Sequence, residues 1–87
     1  MTANDGDGTG KRRSLPQTAT RRVPLTSRET EVLFWVANGK STAEIAGILL
    51  ISKRTVDEHV QTSIRKLDAA NRTHAVAIAL RDRIIEI

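Results

Sequence analysis

Apolar residues recur from Val32 onward at spacings of three and four positions, the period with which an α-helix presents one face to a core. Three such stripes lie within residues 32–37, 45–49 and 56–67, and a fourth lies within residues 72–87. No segment shows the alternation of apolar and polar residues that is typical of a half-buried strand. The pattern predicts an all-α fold of four helices.

Each predicted helix is preceded by a residue type that favours a helix start. These residues are Thr26, Ser41, Ser52 and Asn71. After the first two, a glutamate follows three positions later, Glu29 and Glu44, which completes a capping box. Gly39 supplies a left-handed end for the first helix. The fourth helix is predicted to run from Arg72 nearly to the C-terminus.

The connector between the second and third helices is short, near residues 50–52. Two helices joined by so tight a turn cross steeply, which is the helix-turn-helix arrangement. In that arrangement the second of the two helices lies in the major groove of DNA. A plain αα-hairpin in a four-helix bundle without a DNA role fits the same spacing, so spacing alone leaves both interpretations open.

Four residues carry specific packing expectations. Gly47 weakens the second helix by about 1 kcal/mol relative to alanine, which predicts that another helix approaches closely there. Leu50, in the turn, is expected to be an exposed apolar residue. Trp35 is expected in the core, whereas Phe34 is expected to project away from the buried face of the first helix and to cover a partner surface.

Composition narrows the class of protein. A chain of 87 residues holds one domain at most, and its only aromatic residues are one Phe and one Trp, so the core must be aliphatic. It has no cysteine, and hence neither a disulfide framework nor a Cys-based zinc site. No apolar run approaches the roughly 20 residues of a membrane span. These features favour a cytoplasmic protein that needs no cofactor and binds no small molecule.

The net charge of +4 is unevenly distributed. Residues 1–23 carry five bases and two acids, whereas residues 24–87 carry nine bases and eight acids. We therefore expect a flexible basic tail over residues 1–23 and a single domain over residues 24–87. A nucleic-acid hypothesis must rest on where the charges of the domain lie, not on their number.

The stretch PLTSRETEVLFWVANGKSTAEIAGILLISKRTVDEHVQTSIRKLDAANRTHAVAIAL resembles the LuxR-type helix-turn-helix domain of bacterial transcriptional regulators, over roughly residues 24–85. The matching positions are Leu25, Thr26, Arg28, Glu29, Glu31, Val32, Leu33, Gly39, Glu44, Ile45, Ala46, Leu49, Ile51, Ser52, Thr55, Val56, His59, Ile64, Lys66, Leu67 and Arg72. Trp35, followed by Ala37, Gly39 and Lys40, is most similar to the quorum-sensing branch. The resemblance implies a four-helix DNA-binding module whose third helix, near residues 53–68, reads duplex DNA.

Most relatives carry a sensing domain before this module, and 87 residues cannot contain one. The chain is therefore expected to be either an output domain or a single-domain member that regulates transcription. The alternative function is an interaction module that pairs with a full-length regulator of the same family and inhibits it. An enzyme is not expected, because no nucleophile–base pair or metal-ligand set is present.

The resemblance also implies roles for individual residues. Base edges are contacted from Asp57, Glu58 and Gln61, and phosphates from Lys40, Ser41, Lys53, Arg54, Thr55 and Lys66. On a helical wheel the side opposite the buried face carries Arg54, Glu58, Gln61, Thr62 and Arg65. Thr42 joins this set at the start of the second helix, where free backbone N–H groups favour a phosphate. His59 lies at the edge of the buried face, either packed or touching a phosphate.

Asp57 and Glu58 invite two explanations. A carboxylate near DNA is repelled by phosphates, but it can accept a hydrogen bond from the exocyclic amine of cytosine in the major groove. Alternatively, the acids pair within the helix with Lys53 and Arg54, each four positions earlier, and interact favourably with the helix dipole. Both explanations stay open from the sequence.

The fourth helix carries two apolar stripes. Val76, Ala79 and Leu80 are assigned to the core. Ile78 and Ile85, with Ala77 and Arg81 nearby, lie on the other side, and one small domain cannot bury both sides. The second stripe therefore predicts a weak homodimer, or a heterodimer with a related regulator, and DNA with an inverted repeat would align the two subunits.

Overall fold

The computed structural model describes residues 24–87, so the tail predicted over residues 1–23 lies outside the described part. Within it the chain forms α1 (Ser27–Ala37), α2 (Thr42–Leu49), α3 (Lys53–Lys66) and α4 (Arg72–Arg81), and these described residues contain no strand. The predicted all-α class is confirmed. None of these helices is long and apolar enough to cross a bilayer.

The helix starts are fixed by local side-chain chemistry, as predicted. Thr26 Oγ1 accepts a hydrogen bond from the Glu29 N–H at 3.1 Å, and the Glu29 carboxylate accepts one from the Thr26 N–H at 2.9 Å. Ser41 and Glu44 form the same reciprocal pair at 3.1 and 2.8 Å. The N-caps of α3 and α4 are the predicted Ser52 and Asn71. Each cap satisfies backbone donors that the helix leaves unpaired.

The helix ends share one geometry. A residue with positive φ follows each helix: Gly39 (83°), Leu50 (58°), Asp68 (54°) and Arg83 (59°). The next N–H then bonds a carbonyl five residues back, as from Lys40 to Trp35 at 3.0 Å and from Ile51 to Ala46 at 3.1 Å. This motif turns the chain sharply. Only the first of the four uses glycine, and the side chains of the others cost about 1–2 kcal/mol each in this conformation.

The core has two parts. The α4 cluster consists of Leu33, Leu67, Ala75, Ile78, Ala79 and Ile85. The turn cluster consists of Val32, Ile45, Val56 and Val60. Adjacent residues of α1, Val32 and Leu33, belong to different clusters, and Ile64 of α3 packs against both. In the described residues α2 and α4 do not touch, so α1 and α3 join the two parts.

The predicted dimer stripe on the fourth helix is wrong for Ile78 and Ile85, which are only 4% and 5% exposed in the single chain. The helix ends at Arg81 instead of continuing to the C-terminus. Arg83 then adopts a left-handed conformation, and the Ile84 N–H bonds the Ala79 carbonyl at 2.8 Å. The chain folds back and delivers Ile85 to the core, so helical spacing does not relate residues 78 and 85.

Two of the packing expectations also fail. Gly47 is exposed, and a Cβ added there would meet no atom of the described residues within 4 Å, so none of the described helices approaches it closely. Phe34 is half-buried and packs against the α4 cluster, with its ring edge-on to Trp35 at a centroid distance of 5.0 Å. Trp35 is half-buried against the turn cluster. The expectation for Leu50 is confirmed, since it is 89% exposed.

Candidate nucleic-acid interface

The turn between α2 and α3 directs the polar face of α3 outward. Ile51, half-buried in the turn, packs against the turn cluster, while Ser52 caps α3 through its contact with the Thr55 N–H at 3.0 Å. Val56 and Val60 then anchor α3 by their burial. Because these two apolar residues face inward, the opposite side of α3 is left for solvent.

A shallow groove on α3 collects six of the thirteen side chains that the sequence assigned to DNA. Its lining is Arg54, Asp57, Glu58, Gln61, Thr62 and Arg65. All of them are exposed except Thr62, which is half-buried and accepts a hydrogen bond from the Arg65 guanidinium at 3.2 Å. The groove mixes two cations, two anions, an amide and a hydroxyl, and so presents both donors and acceptors to base edges.

The two acids of the groove have different partners. Glu58 pairs with Arg54 one turn earlier, at 3.5 Å between Nε and Oε2, with both side chains largely exposed. Asp57 Oδ1 instead lies 3.4 Å from Thr42 Oγ1, across the turn on α2. Intrahelical pairing thus holds for Glu58, whereas Asp57 has a link to another helix.

The start of α2 contributes a second group of predicted contacts. Lys40 and Ser41 are exposed, and Thr42 is half-buried. Glu44 is held there by hydrogen bonds from the backbone and side chain of Ser41, which together with the charge of Lys40 lower the pKa of the Glu44 carboxyl. The carboxylate therefore stays charged and occupies the Ser41 N–H, a donor that a phosphate could otherwise use.

The remaining predicted contacts are scattered. Lys53 is exposed at the first turn of α3, and Thr55 is half-buried with its hydroxyl accepting from Ser52 at 2.9 Å. His59 is half-buried, and its backbone carbonyl accepts from the buried Ser63 hydroxyl at 2.8 Å. On α4, Ala77 and Arg81 are exposed. No group of His, Asp or Glu residues within 24–87 could hold a metal ion.

Lys66 does not join the groove. Its ammonium lies 2.8 Å from the Glu29 carboxylate and 3.3 Å from the Pro24 carbonyl, and its side chain is only 19% exposed. A phosphate would have to replace a nearly buried carboxylate partner, whose side chain is 7% exposed. These contacts argue against the phosphate contact that the resemblance implied for Lys66.

Glu29 is the residue whose second role the sequence did not reveal. Beyond capping α1, it holds the last turn of α3 through Lys66. Its position in the sequence could have predicted this role. Glu29 lies three residues before Val32 and four before Leu33, which places it on the buried face of α1. A charged residue on a buried face requires a partner of opposite charge.

The environment of Glu29 makes the stability of the domain depend on pH. Burial by itself raises the pKa of the Glu29 carboxyl, but hydrogen bonds from Lys66 and Thr26 outweigh burial and leave the pKa below its ordinary value of 4.5. A carboxyl whose folded-state pKa is depressed stabilises the fold above its unfolded-state pKa. That stability is lost as the pH falls through the lower folded-state value.

We expect Glu29→Gln to lower the free energy of unfolding at pH 7 by roughly 1–3 kcal/mol, because Lys66 loses its charged partner while remaining mostly buried. Urea unfolding at a series of pH values between 7 and 2 should show the difference from the unmodified chain shrinking below pH 4.5. Glu86→Gln, at an exposed position, is the matched control and should leave the profile unchanged. A constant difference across the pH range would contradict the assignment.

Comparison with known proteins decides the family. The model of the family described as bacterial regulatory proteins, luxR family, matches residues 23–79. The chain belongs to the luxR family. Its four helices and its helix-turn-helix agree with that membership, and the resemblance inferred from the sequence is confirmed.

Among curated proteins, this luxR-family chain is 53% identical over 74 residues to the transcriptional activator protein BjaR1 of Bradyrhizobium diazoefficiens, covering 85% of the chain and 31% of BjaR1. It is 54% identical over 67 residues to RpaR of Rhodopseudomonas palustris, a quorum sensing-dependent transcriptional regulator, covering 77% of the chain and 28% of RpaR. The chain therefore spans less than a third of the length of either relative.

Among solved structures, the luxR-family chain is similar to the transcription factor GerE, with a TM-score of 0.71 and 34% identity over 75% of this chain and 97% of GerE. It is also similar to VqmA of Vibrio cholera in a complex with ligand and DNA. There the TM-score is 0.64 and the identity is 26%, over 93% of this chain and 33% of VqmA. The match thus extends over nearly the whole of the GerE chain in that structure.

Proposed function

We propose that the chain is a sequence-specific DNA-binding transcriptional regulator, which acts in the cytoplasm and reads the major groove with α3. The observation that carries this proposal is the exposed groove of α3 in the helix-turn-helix of a luxR-family chain. The names of BjaR1 and RpaR support regulation of transcription, and that of RpaR supports quorum sensing. VqmA, similar in fold, has been solved with DNA.

Charge placement supports the same proposal, although the domain is almost balanced in charge. Lys53, Arg54 and Arg65 are all exposed on α3, and Lys40 is exposed just before α2. Affinity for phosphates would come from these cations, of which Arg54 and Arg65 line the groove itself. The acids inside the groove would lower non-specific affinity, so discrimination among sequences would contribute more than bulk electrostatic attraction.

Mapping of backbone amide shifts tests the proposal. The labelled chain would be titrated with duplexes from a pool of inverted repeats, and we expect the largest changes at residues 40–42 and 53–62. The same titration with a single-stranded pool of equal length serves as the control. Changes confined to residues 1–23, or equal changes with both pools, would reject duplex reading by α3.

We further infer that two copies pair weakly through α4. Thr73, Ala77 and Arg81 are exposed and follow one another at intervals of four, so they form one face of the helix. Of the predicted dimer residues, Ala77 and Arg81 therefore stay in the interface, and Ile78 and Ile85 leave it. The inhibitory heterodimer is not favoured, because the relatives BjaR1 and RpaR are themselves named as transcriptional regulators.

Ala77→Glu is expected to leave the chain folded and to abolish cooperative binding to an inverted repeat, because a pair of symmetric glutamates would meet in a close interface. Binding to a single half-site should not change. Ala70→Glu, also exposed but outside that face, is the matched control. Gel-shift titrations on one and two half-sites distinguish the cases, and cooperative binding by Ala77→Glu would exclude this face.

A further inference from the structure

Asp57 and Glu58 are neighbours in sequence, but the structure holds them differently. Glu58 pairs with a cation of its own helix, and both side chains are largely exposed, so this pair can rearrange when DNA arrives. Asp57 is in contact with a hydroxyl of a different helix, at 3.4 Å from Thr42 Oγ1. Of the two acids, Asp57 is therefore the one tied to a group outside α3.

Thr42 is well suited to hold another side chain because its own position is fixed. It is the first residue of α2, directly after the N-cap Ser41 and inside the Ser41–Glu44 capping box. One turn onward, Ile45 is fully buried in the turn cluster together with Val56 of α3. The distance between the Thr42 hydroxyl and the start of α3 is thus set by core packing, and Thr42, being β-branched, has few side-chain rotamers.

We propose that Thr42 is a positioning residue that determines base specificity, because its hydroxyl donates to the Asp57 carboxylate and fixes where that carboxylate meets the DNA. This proposal rests on the proposed DNA-binding function. A carboxylate that is free to turn would swing away from a base that offers no donor. A carboxylate that is held stays in place, so the penalty against the wrong base is retained.

A positioning role for Thr42 differs from the phosphate contact that the sequence suggested. A phosphate contact would strengthen binding to every duplex about equally. A positioning residue instead alters the preference at a single base pair, the one that Asp57 faces. At 3.4 Å the hydrogen bond is long, so we expect about a two- to tenfold effect on that preference.

The test is site selection from a random duplex library by the full chain, followed by affinity measurements on the selected site and its single-base variants. Thr42→Val keeps the shape and removes the donor, whereas Thr42→Ser keeps the donor. Thr42→Val should lower the preference for cytosine at one position about two- to tenfold, with other positions unchanged. Thr42→Ser and the control Thr30→Val, on α1 and outside every proposed contact with DNA or a second subunit, should retain the full preference.

A double-mutant cycle completes the test. In an Asp57→Ala background, Thr42→Val should have no further effect on the preference, because both substitutions interrupt one interaction. Equal weakening on all sequences would identify Thr42 as a phosphate contact and overturn the inference while the proposed function stands. If the unmodified chain enriches no sequence at all, the proposed function fails, and the inference fails with it.

Discussion

Ile78→Ala is expected to lower the free energy of unfolding by about 2–5 kcal/mol, since it removes a buried side chain and leaves a cavity in the α4 cluster. A domain of this size has a total stability on the order of 5 kcal/mol. The variant would then keep only about 0–3 kcal/mol of stability at 25 °C, so that up to about half of its molecules would be unfolded. Ile78→Glu, which also buries a carboxylate without a partner, should abolish folding outright.

Circular dichroism with urea titration measures this effect. Ile85→Ala should behave like Ile78→Ala, because Ile85 reaches the same cluster through the turn at Arg83. Ile87, two residues later and 73% exposed, supplies the matched control, and Ile87→Ala should change stability by less than about 0.5 kcal/mol. If the Ile78→Glu variant folded normally and lost only its pairing with a second subunit, Ile78 would belong to the subunit interface and not to the core.

Asp57→Ala is expected to reduce the ratio of specific to non-specific affinity by about 5- to 150-fold, the 1–3 kcal/mol that a good base contact is worth. Removing the carboxylate eliminates an attractive contact with cytosine and a repulsion toward other bases and phosphates. Specific affinity should fall or stay level while non-specific affinity rises. Both affinities must be measured at one salt concentration, because phosphate contacts depend steeply on salt.

Glu58→Ala supplies the comparison, and we expect a different result from it. Glu58 pairs with Arg54 along α3, so its removal frees a cation for phosphates. Specific and non-specific binding should both tighten by similar factors, and their ratio should stay level. An unchanged ratio for both variants would end the hypothesis that these acids read bases, and a fall confined to Glu58→Ala would exchange the two roles.

What the sequence predicts well in this chain is local. The starts of all four described helices follow from Thr26, Ser41, Ser52 and Asn71, because a cap and its partner are three residues apart and form without the rest of the fold. The exposed face of α3 follows from one apolar stripe for the same reason. Family resemblance then supplied the function, which no spacing on its own could distinguish from a plain helical hairpin.

What the sequence predicts poorly depends on contacts between distant residues. Glu29 and Lys66 are 37 positions apart. The residues around a lysine in the sequence do not show whether it pairs with a buried carboxylate of the same chain or is free to bind a phosphate. The end of α4 was misplaced because Arg83 takes a left-handed conformation without being a glycine. The close helix approach predicted at Gly47 is not made by any of the described helices.

Because α2 and α4 do not touch within the described residues, the internal packing of the domain affects which distances between two DNA half-sites a pair of subunits could bind. If two copies pair through α4, the distance between their α3 helices is set by the packing of α4 against α3 and against α1, and Ile64 lies where the two clusters meet. The range of gaps between half-sites that a pair can bind is then set by how rigidly these helices pack together. Looser packing would broaden the range of half-site spacings that the pair tolerates, even if every DNA-facing residue were unchanged.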